Sequence, residues 1–106
     1  MDALLVLTNL PDREAALRLA HALIEGRAAA CVNVLSECTS VYRWQGKVEA
    51  ASEVPVLIKT TSAAYAALEQ TVRALHPYEL PEIITVSLAG GLTEYLQWIE
   101  AETTEA

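Results

Sequence analysis

An α+β domain built around a single antiparallel sheet is what this sequence predicts, on three observations. The chain has 106 residues, which is room for one domain around one core and not for two. Its apolar residues switch between alternation and helical spacing in the order strand, helix, two strands, helix, strand, helix. Gly and Pro number only four each, so turns are few and the elements long. Hydrophobic residues make up 53% of the chain, slightly above the roughly 45–50% of a soluble domain. That excludes a disordered or fibrous chain, and so small a domain cannot hide every apolar side chain alone, which predicts association between copies.

The elements follow in order. Ala3-Leu4-Leu5-Val6-Leu7 is the short apolar run of a buried strand. Pro11-Asp12 breaks it, and Asp12 serves as N-cap for a helix from Arg13 to Glu25. Ala16, Leu19, Ala20, Leu23 and Ile24 form that helix's apolar stripe, and Gly26 stands at its C′ position. Ala29 to Thr61 reads as two strands around one tight turn, Trp44-Gln45-Gly46-Lys47. Pairing Trp44 with Lys47 makes paired numbers sum to 91, which sets Asn33 against Ile58 and Pro55 against Ser36. Pro cannot donate to a ladder and marks an edge, bulge or bend. Ser62 is then expected to cap a helix with the stripe Tyr65, Leu68, Val72, Leu75, and His76-Pro77 ends it. A strand is expected at 83–88 and a last helix with Leu92, Tyr95, Leu96 and Ile99 on one face. The tail at 102–106 is expected to fray.

A β-α-β-β-α-β order is the ferredoxin-like, split βαβ arrangement, here extended by a C-terminal helix, within one domain over residues 1–106. Each hairpin arm has room for about 13–15 residues, against the 5–6 usual for a strand. The distal half, carrying Val41, Tyr42, Trp44 and Val48, therefore projects beyond its own sheet. An apolar ribbon with free edges needs cover, and identical neighbours in closed cyclic symmetry provide it.

Charge restricts the partners. The formal net charge is −7 and the pI about 4.7, the wrong sign for a nucleic-acid backbone or an anionic membrane surface. The apolar opening has no basic flank and is too short for a signal or span. Cys31 and Cys38, seven apart, would lie roughly 23 Å from each other in one strand, so both read as reduced thiols of a cytoplasmic protein.

No known catalytic string is present, and two histidines rule out a three-His zinc site in one chain. His76-Pro77-Tyr78-Glu79 with Glu82 is the densest polar group, able to offer an imidazole and carboxylates to a borderline cation. The alternative is that His76 caps helix carbonyls while Glu79 and Glu82 are solvated. Cys31 is either a soft ligand for copper, next to a neighbour's His76, or a small core hydrophobe. Lys59 interrupts an apolar run, so it anchors an anionic ligand near Asn33 or pairs with an acid such as Glu53 or Glu82. His21, on the polar flank of the first helix, reads as a surface residue.

Five blocks carry a resemblance: Ala29-Ala30-Cys31-Val32-Asn33; Ser40-Val41-Tyr42-Arg43-Trp44-Gln45-Gly46-Lys47; Ile58-Lys59-Thr60; His76-Pro77-Tyr78-Glu79-Leu80-Pro81-Glu82-Ile83; and Tyr95-Leu96-Gln97-Trp98-Ile99. Together they resemble the divalent-cation tolerance (CutA) family, in family order, from Thr8 to about Ile99. Arg43 and Pro55 depart from the usual pattern, at positions that concern hairpin packing. The resemblance implies a ferredoxin-like protomer in a tight homotrimer, similar in architecture to the signalling PII proteins, and a cytoplasmic, non-enzymatic role in tolerance of copper and other divalent cations. It also implies metal sites at Cys31 and His76. Two other roles fit the same residues: a PII-like sensor holding a small anionic metabolite in an intersubunit cleft near Lys59 and Asn33, and a scaffold for a protein partner.

Overall fold

The computed structural model describes residues 2–104. The elements are β1 (Ala3–Leu10), α1 (Arg13–Glu25), β2 (Cys31–Val34), β3 (Cys38–Trp44), β4 (Lys47–Thr61), α2 (Ser62–Leu75), β5 (Ile84–Ser87) and α3 (Thr93–Thr103). The strands lie in the order β2-β4-β1-β5, every pairing is antiparallel, and β3 continues the first hairpin arm along β4. The chain is therefore α+β with an antiparallel sheet.

Strand alternation divides the sheet into two faces. Val6, Leu10, Val54, Val56 and Ile58 point to one side, where Ala16, Leu19 and Leu23 of α1 and Leu68 and Val72 of α2 complete the core. Thr60 belongs to the same face, and its buried hydroxyl donates to Ala28 O at 2.7 Å. Leu5, Leu7, Leu57 and Lys59 point to the opposite face. There α3 approaches, with Tyr95 beneath Lys59 and Ile99 fully buried.

Helix α1 starts where the sequence places it, because the Asp12 carboxylate accepts the N–H of Ala15 at 2.8 Å. Its end differs. Gly26 is the cap itself at φ −84°, and the left-handed residue is Arg27 at φ 57°. Arg27 N–H donates to Ile24 O and Ala28 N–H to Leu23 O, at 3.1 and 2.9 Å. This is a Schellman closure with an arginine in the glycine position. Helix α2 is capped by Thr61, not Ser62: the Thr61 hydroxyl accepts Ala64 N–H at 3.3 Å. Strand β4 runs unbroken to Thr61, so the last strand residue doubles as the cap and Ser62 becomes the first helical residue. The fifth strand is trimmed to Ile84–Ser87. Helix α3 continues through Glu102 and Thr103, so the expected fraying is not found there; residues 105–106 of that tail lie outside the described residues.

The hairpin register holds only in its outer part. From Trp44↔Lys47 to Cys38↔Glu53 the paired numbers sum to 91. From Val34↔Val56 to Cys31↔Lys59 they sum to 90. Residues 35–37 thus face only 54–55, a one-residue bulge that splits the first arm into β2 and β3. In an antiparallel ladder a residue's N–H and C=O point toward the same neighbour. Pro55 accepts from Leu35 N–H at 3.0 Å, so its missing donor falls on the bulged side. Asn33 consequently faces Leu57 rather than Ile58, and Lys59 faces Cys31. At the tip Gln45 and Gly46 both have positive φ, 50° and 80°, the signature of a type I′ turn.

Beyond Glu53 the ribbon is two-stranded and unsupported. Val41 is 70% and Val48 66% exposed, and Tyr42 and Trp44 are exposed as well. The projection sets the shape: the extents are 44 × 26 × 23 Å and the radius of gyration 14.3 Å, against about 13 Å for a compact chain of this length.

Candidate functional site

Two groups of polar residues are brought together, on different parts of the sheet. The first surrounds the end of α2. Pro77 turns His76 out of the helix into extended backbone at ψ 129°, while its own N–H still closes on Val72 O. The ring folds inward and is 8% exposed. Its Nε2 is 2.7 Å from Asn9 O, and its Nδ1 accepts the Tyr78 N–H at 3.2 Å. A carbonyl can only accept, so Nε2 carries the proton and the ring is neutral in this arrangement. The Tyr78 ring leans on the imidazole with centroids 4.7 Å apart. Asn9 adds a second tie, donating from its amide to Glu82 at 2.8 Å. Burial, then the hydrogen bond and charge of Glu53, push the Tyr78 hydroxyl up to about 12. Glu79 points outward and is exposed.

The second group lies on the sheet face opposite α1 and α2. Cys31 and Lys59 are cross-strand partners, and Asn33 is two residues along from Cys31 on the same face. The Cys31 thiol donates weakly to the Asn33 side-chain oxygen at 3.8 Å. Lys59 Nζ sits 5.7 Å from the centroid of Tyr95, whose ring in turn contacts Trp98 at 5.4 Å. Among the described residues no carboxylate lies within 4 Å of Lys59. The expected pairing with Glu53 or Glu82 is therefore replaced by an aromatic face, which holds an ammonium through the ring quadrupole.

The two groups do not merge within the chain. His76 binds β1 at the level of Asn9, whereas Cys31 stands level with Leu5, two strands away. Four residues along a strand and two strand spacings across separate them by roughly 16 Å. Among the described residues no three His, Cys, Asp or Glu side chains gather closely enough to hold a metal ion. Both cysteines are free and half-buried.

Some residues that join or flank these groups escaped the sequence reading. Asn9, the hub that joins His76 and Glu82, is 67 and 73 residues from its partners, and no local pattern marks it. Tyr95 was assigned to an apolar stripe, not to Lys59. Ile84 and Val86 are half-exposed beside Leu5 and Leu7 on the open sheet face; their period-two spacing could have flagged them.

A small antiparallel α+β domain with an overlong hairpin and a sheet face only partly covered by its own last helix defines the class. Residues 4–102 match the family described as CutA1 divalent ion tolerance protein, and the chain belongs to it. A divalent-cation tolerance protein CutA of Thermus thermophilus is 47% identical over 98 residues, covering 92% of this chain and 95% of that one. Protein CutA of Homo sapiens is 44% identical, but its match spans 88% of this chain and only 52% of the human one. The crystal structure of CutA1 from Oryza sativa superposes with a TM-score of 0.95 at 38% identity, covering 100% of this chain and 97% of that one. The Thermus protein's structure gives 0.94 at 45% identity, covering 96% and 99%.

Proposed function

We propose that this protein is a homotrimer of ferredoxin-like protomers, PII-like in architecture, that contributes to divalent-cation tolerance in the cytoplasm by weak, non-enzymatic binding of copper or another divalent ion. The observation that carries the reading is the projecting ribbon. Val41, Tyr42, Trp44 and Val48 are exposed on a two-stranded extension with free edges, and sister subunits are its natural cover. The strand order and the antiparallel pairings support the ferredoxin-like classification.

The ion-binding part draws on Cys31, His76 and Glu79. Because one subunit holds Cys31 and His76 far apart, a shared ion takes them from different subunits. The His76 Nδ1 becomes a ligand once the Tyr78 N–H releases it. Mass measured under native conditions tests the assembly; a monomer at micromolar concentration overturns it. Calorimetric titration with Cu(II) and Zn(II) tests the ligands. Heats unchanged in Cys31→Ala, His76→Ala and Glu79→Ala remove those residues from any site.

A second reading is favoured by one feature, the lysine at the sheet face whose cationic head meets a ring instead of an acid. In that reading Lys59 and Asn33 line an intersubunit cleft for a small anionic metabolite. Ligand-dependent thermal stabilisation that survives chelation and disappears in Lys59→Ala supports it; stabilisation that persists in Lys59→Ala refutes it.

A further inference from the structure

We infer that Glu53 of one subunit and Lys59 of the next form an ion pair across each contact of the assembly, on the sheet face away from α1 and α2. The inference rests on the assembly proposed above. Glu53 is the one buried carboxylate among the described residues, at 9% exposure, yet no cation among them lies within 4 Å of it. The Tyr78 hydroxyl hydrogen-bonds it, but a neutral donor leaves the charge uncompensated. Asp12, whose charge also reaches Tyr78, adds a second negative group nearby. A carboxylate withdrawn from water needs a cation to stay ionised.

One cation of the chain fits. Of the seven Lys and Arg, Arg18 and Arg27 are paired with carboxylates, and four others are exposed to water. Lys59 alone is half-buried without an acid. Its contact with the Tyr95 ring, at 5.7 Å from the centroid, engages no opposite charge. Glu53 and Lys59 are both on β4, and alternation sets them on the same face. Their separation along the strand is roughly 20 Å, beyond the joint reach of the two side chains, so the pair cannot close within the chain. Cyclic symmetry supplies the partner, since each copy then gives Glu53 to one neighbour and Lys59 to the other. Glu53 stands at the root of the projecting ribbon, where cover by a sister subunit begins. A Lys59 engaged in this way is not free for an anionic metabolite, so the inference goes with the first reading above and against the second.

The test is a charge exchange read by mass under native conditions. Glu53→Lys and Lys59→Glu each set like charges across every subunit contact, so each variant alone is expected to dissociate at a concentration where the parent is trimeric. Mixed in equal amounts, they should recover assemblies that contain both chains, because a contact between unlike chains restores opposite charges whichever chain contributes position 53. A pair formed within one chain stays broken in every mixed species. Where Glu53→Lys keeps its chain from folding, as its far-ultraviolet spectrum reveals, Glu53→Gln and Lys59→Gln answer the same question. Each should raise the concentration of half-dissociation by about tenfold or more, and the double variant by no more than the worse of the two. A monomeric parent overturns the assembly and the pair together. A trimeric parent whose charge variants stay trimeric alone, fail to recover on mixing, or act additively in the Gln pair overturns the ion pair and leaves the assembly standing.

Discussion

Thr8 carries an unpartnered hydroxyl into the core. It lies on β1 between Val6 and Leu10, opposite Val56, and is 1% exposed. Its Oγ1 is buried and has no hydrogen-bond partner. Leaving a buried hydroxyl unpaired costs about 1–3 kcal/mol, and the flanking residues are all aliphatic. Thr8→Val keeps the β-branched shape that suits a strand and exchanges the hydroxyl for a methyl group of similar size. Removing the penalty and burying the methyl, worth about 0.8 kcal/mol, act in the same direction. The expected gain is about 1–3 kcal/mol per chain. At about 4 °C or more per kcal/mol for a domain of this size, the melting temperature rises by roughly 4–12 °C. The assay is a urea or thermal unfolding curve at fixed protein concentration, since the proposed assembly would shift apparent stability with concentration. Thr8→Ser, which keeps the hydroxyl and opens a void, should lose stability and provides the contrast. A Thr8→Val variant less stable than the parent refutes the reasoning, because it means that the hydroxyl has a partner whose loss outweighs the methyl.

Other outcomes follow from single features. Arg27→Gly should stabilise by about 0.5–1 kcal/mol, the relief of a left-handed arginine less the entropy of glycine in the unfolded chain. The Arg27–Glu102 ion pair, 4.0 Å apart with both side chains more than 40% exposed, adds little to set against it; a denaturant midpoint reads the result. The Tyr78 pKa, raised to about 12 from 10.0, means that the folded state holds this proton more tightly than the unfolded one. Its contribution is complete below pH 10 and declines as pH rises toward 12. Stability curves over that window should fall less steeply in Tyr78→Phe, and a parent phenol that titrates spectroscopically near 10 contradicts the assignment. Val41→Lys with Val48→Glu, both on the exposed ribbon, should reduce the proposed trimer to monomers without changing the far-ultraviolet spectrum; an intact oligomer in that variant moves the interface elsewhere.

Legibility in the sequence tracked the range of the interaction. Asp12, the stripe of α1 and the Gln45-Gly46 turn were readable because cap, stripe and turn are all decided within a few residues. The register of Asn33 was not: Pro55 marks an irregularity opposite Ser36, but not that it inserts one extra residue, and a slip of one exchanges every partner beyond it. Thr61 and Ser62 both offer a hydroxyl for the α2 cap; how far β4 runs decides between them, and that depends on pairing with β1. The candidate site fared similarly. His76 was read as a helix terminator and it is one, but its ring is fixed by a carbonyl on β1. Lys59 was read as needing a counter-charge, and the fold supplies an aromatic ring from α3, 36 residues away in sequence. Loop residues meet partners that only the assembled sheet brings near.

The separation of Cys31 from His76 makes the proposed ion site testable without a crystal. An ion shared between subunits binds the assembled state and not its parts, so assembly and ion affinity must be linked in both directions. Diluting the protein until the oligomer begins to dissociate, then adding Cu(II), should restore it, with apparent stabilisation growing by about 1.4 kcal/mol for each tenfold rise in free ion above its dissociation constant. The same linkage should vanish in Cys31→Ala and in His76→Ala alike, since each removes one side of a shared ligand set. An ion held by the residues of one subunit would leave the dissociation curve where it was, whatever its affinity. Mass measured across a dilution series, with and without the ion, separates these cases, and a curve that does not move ends the intersubunit assignment.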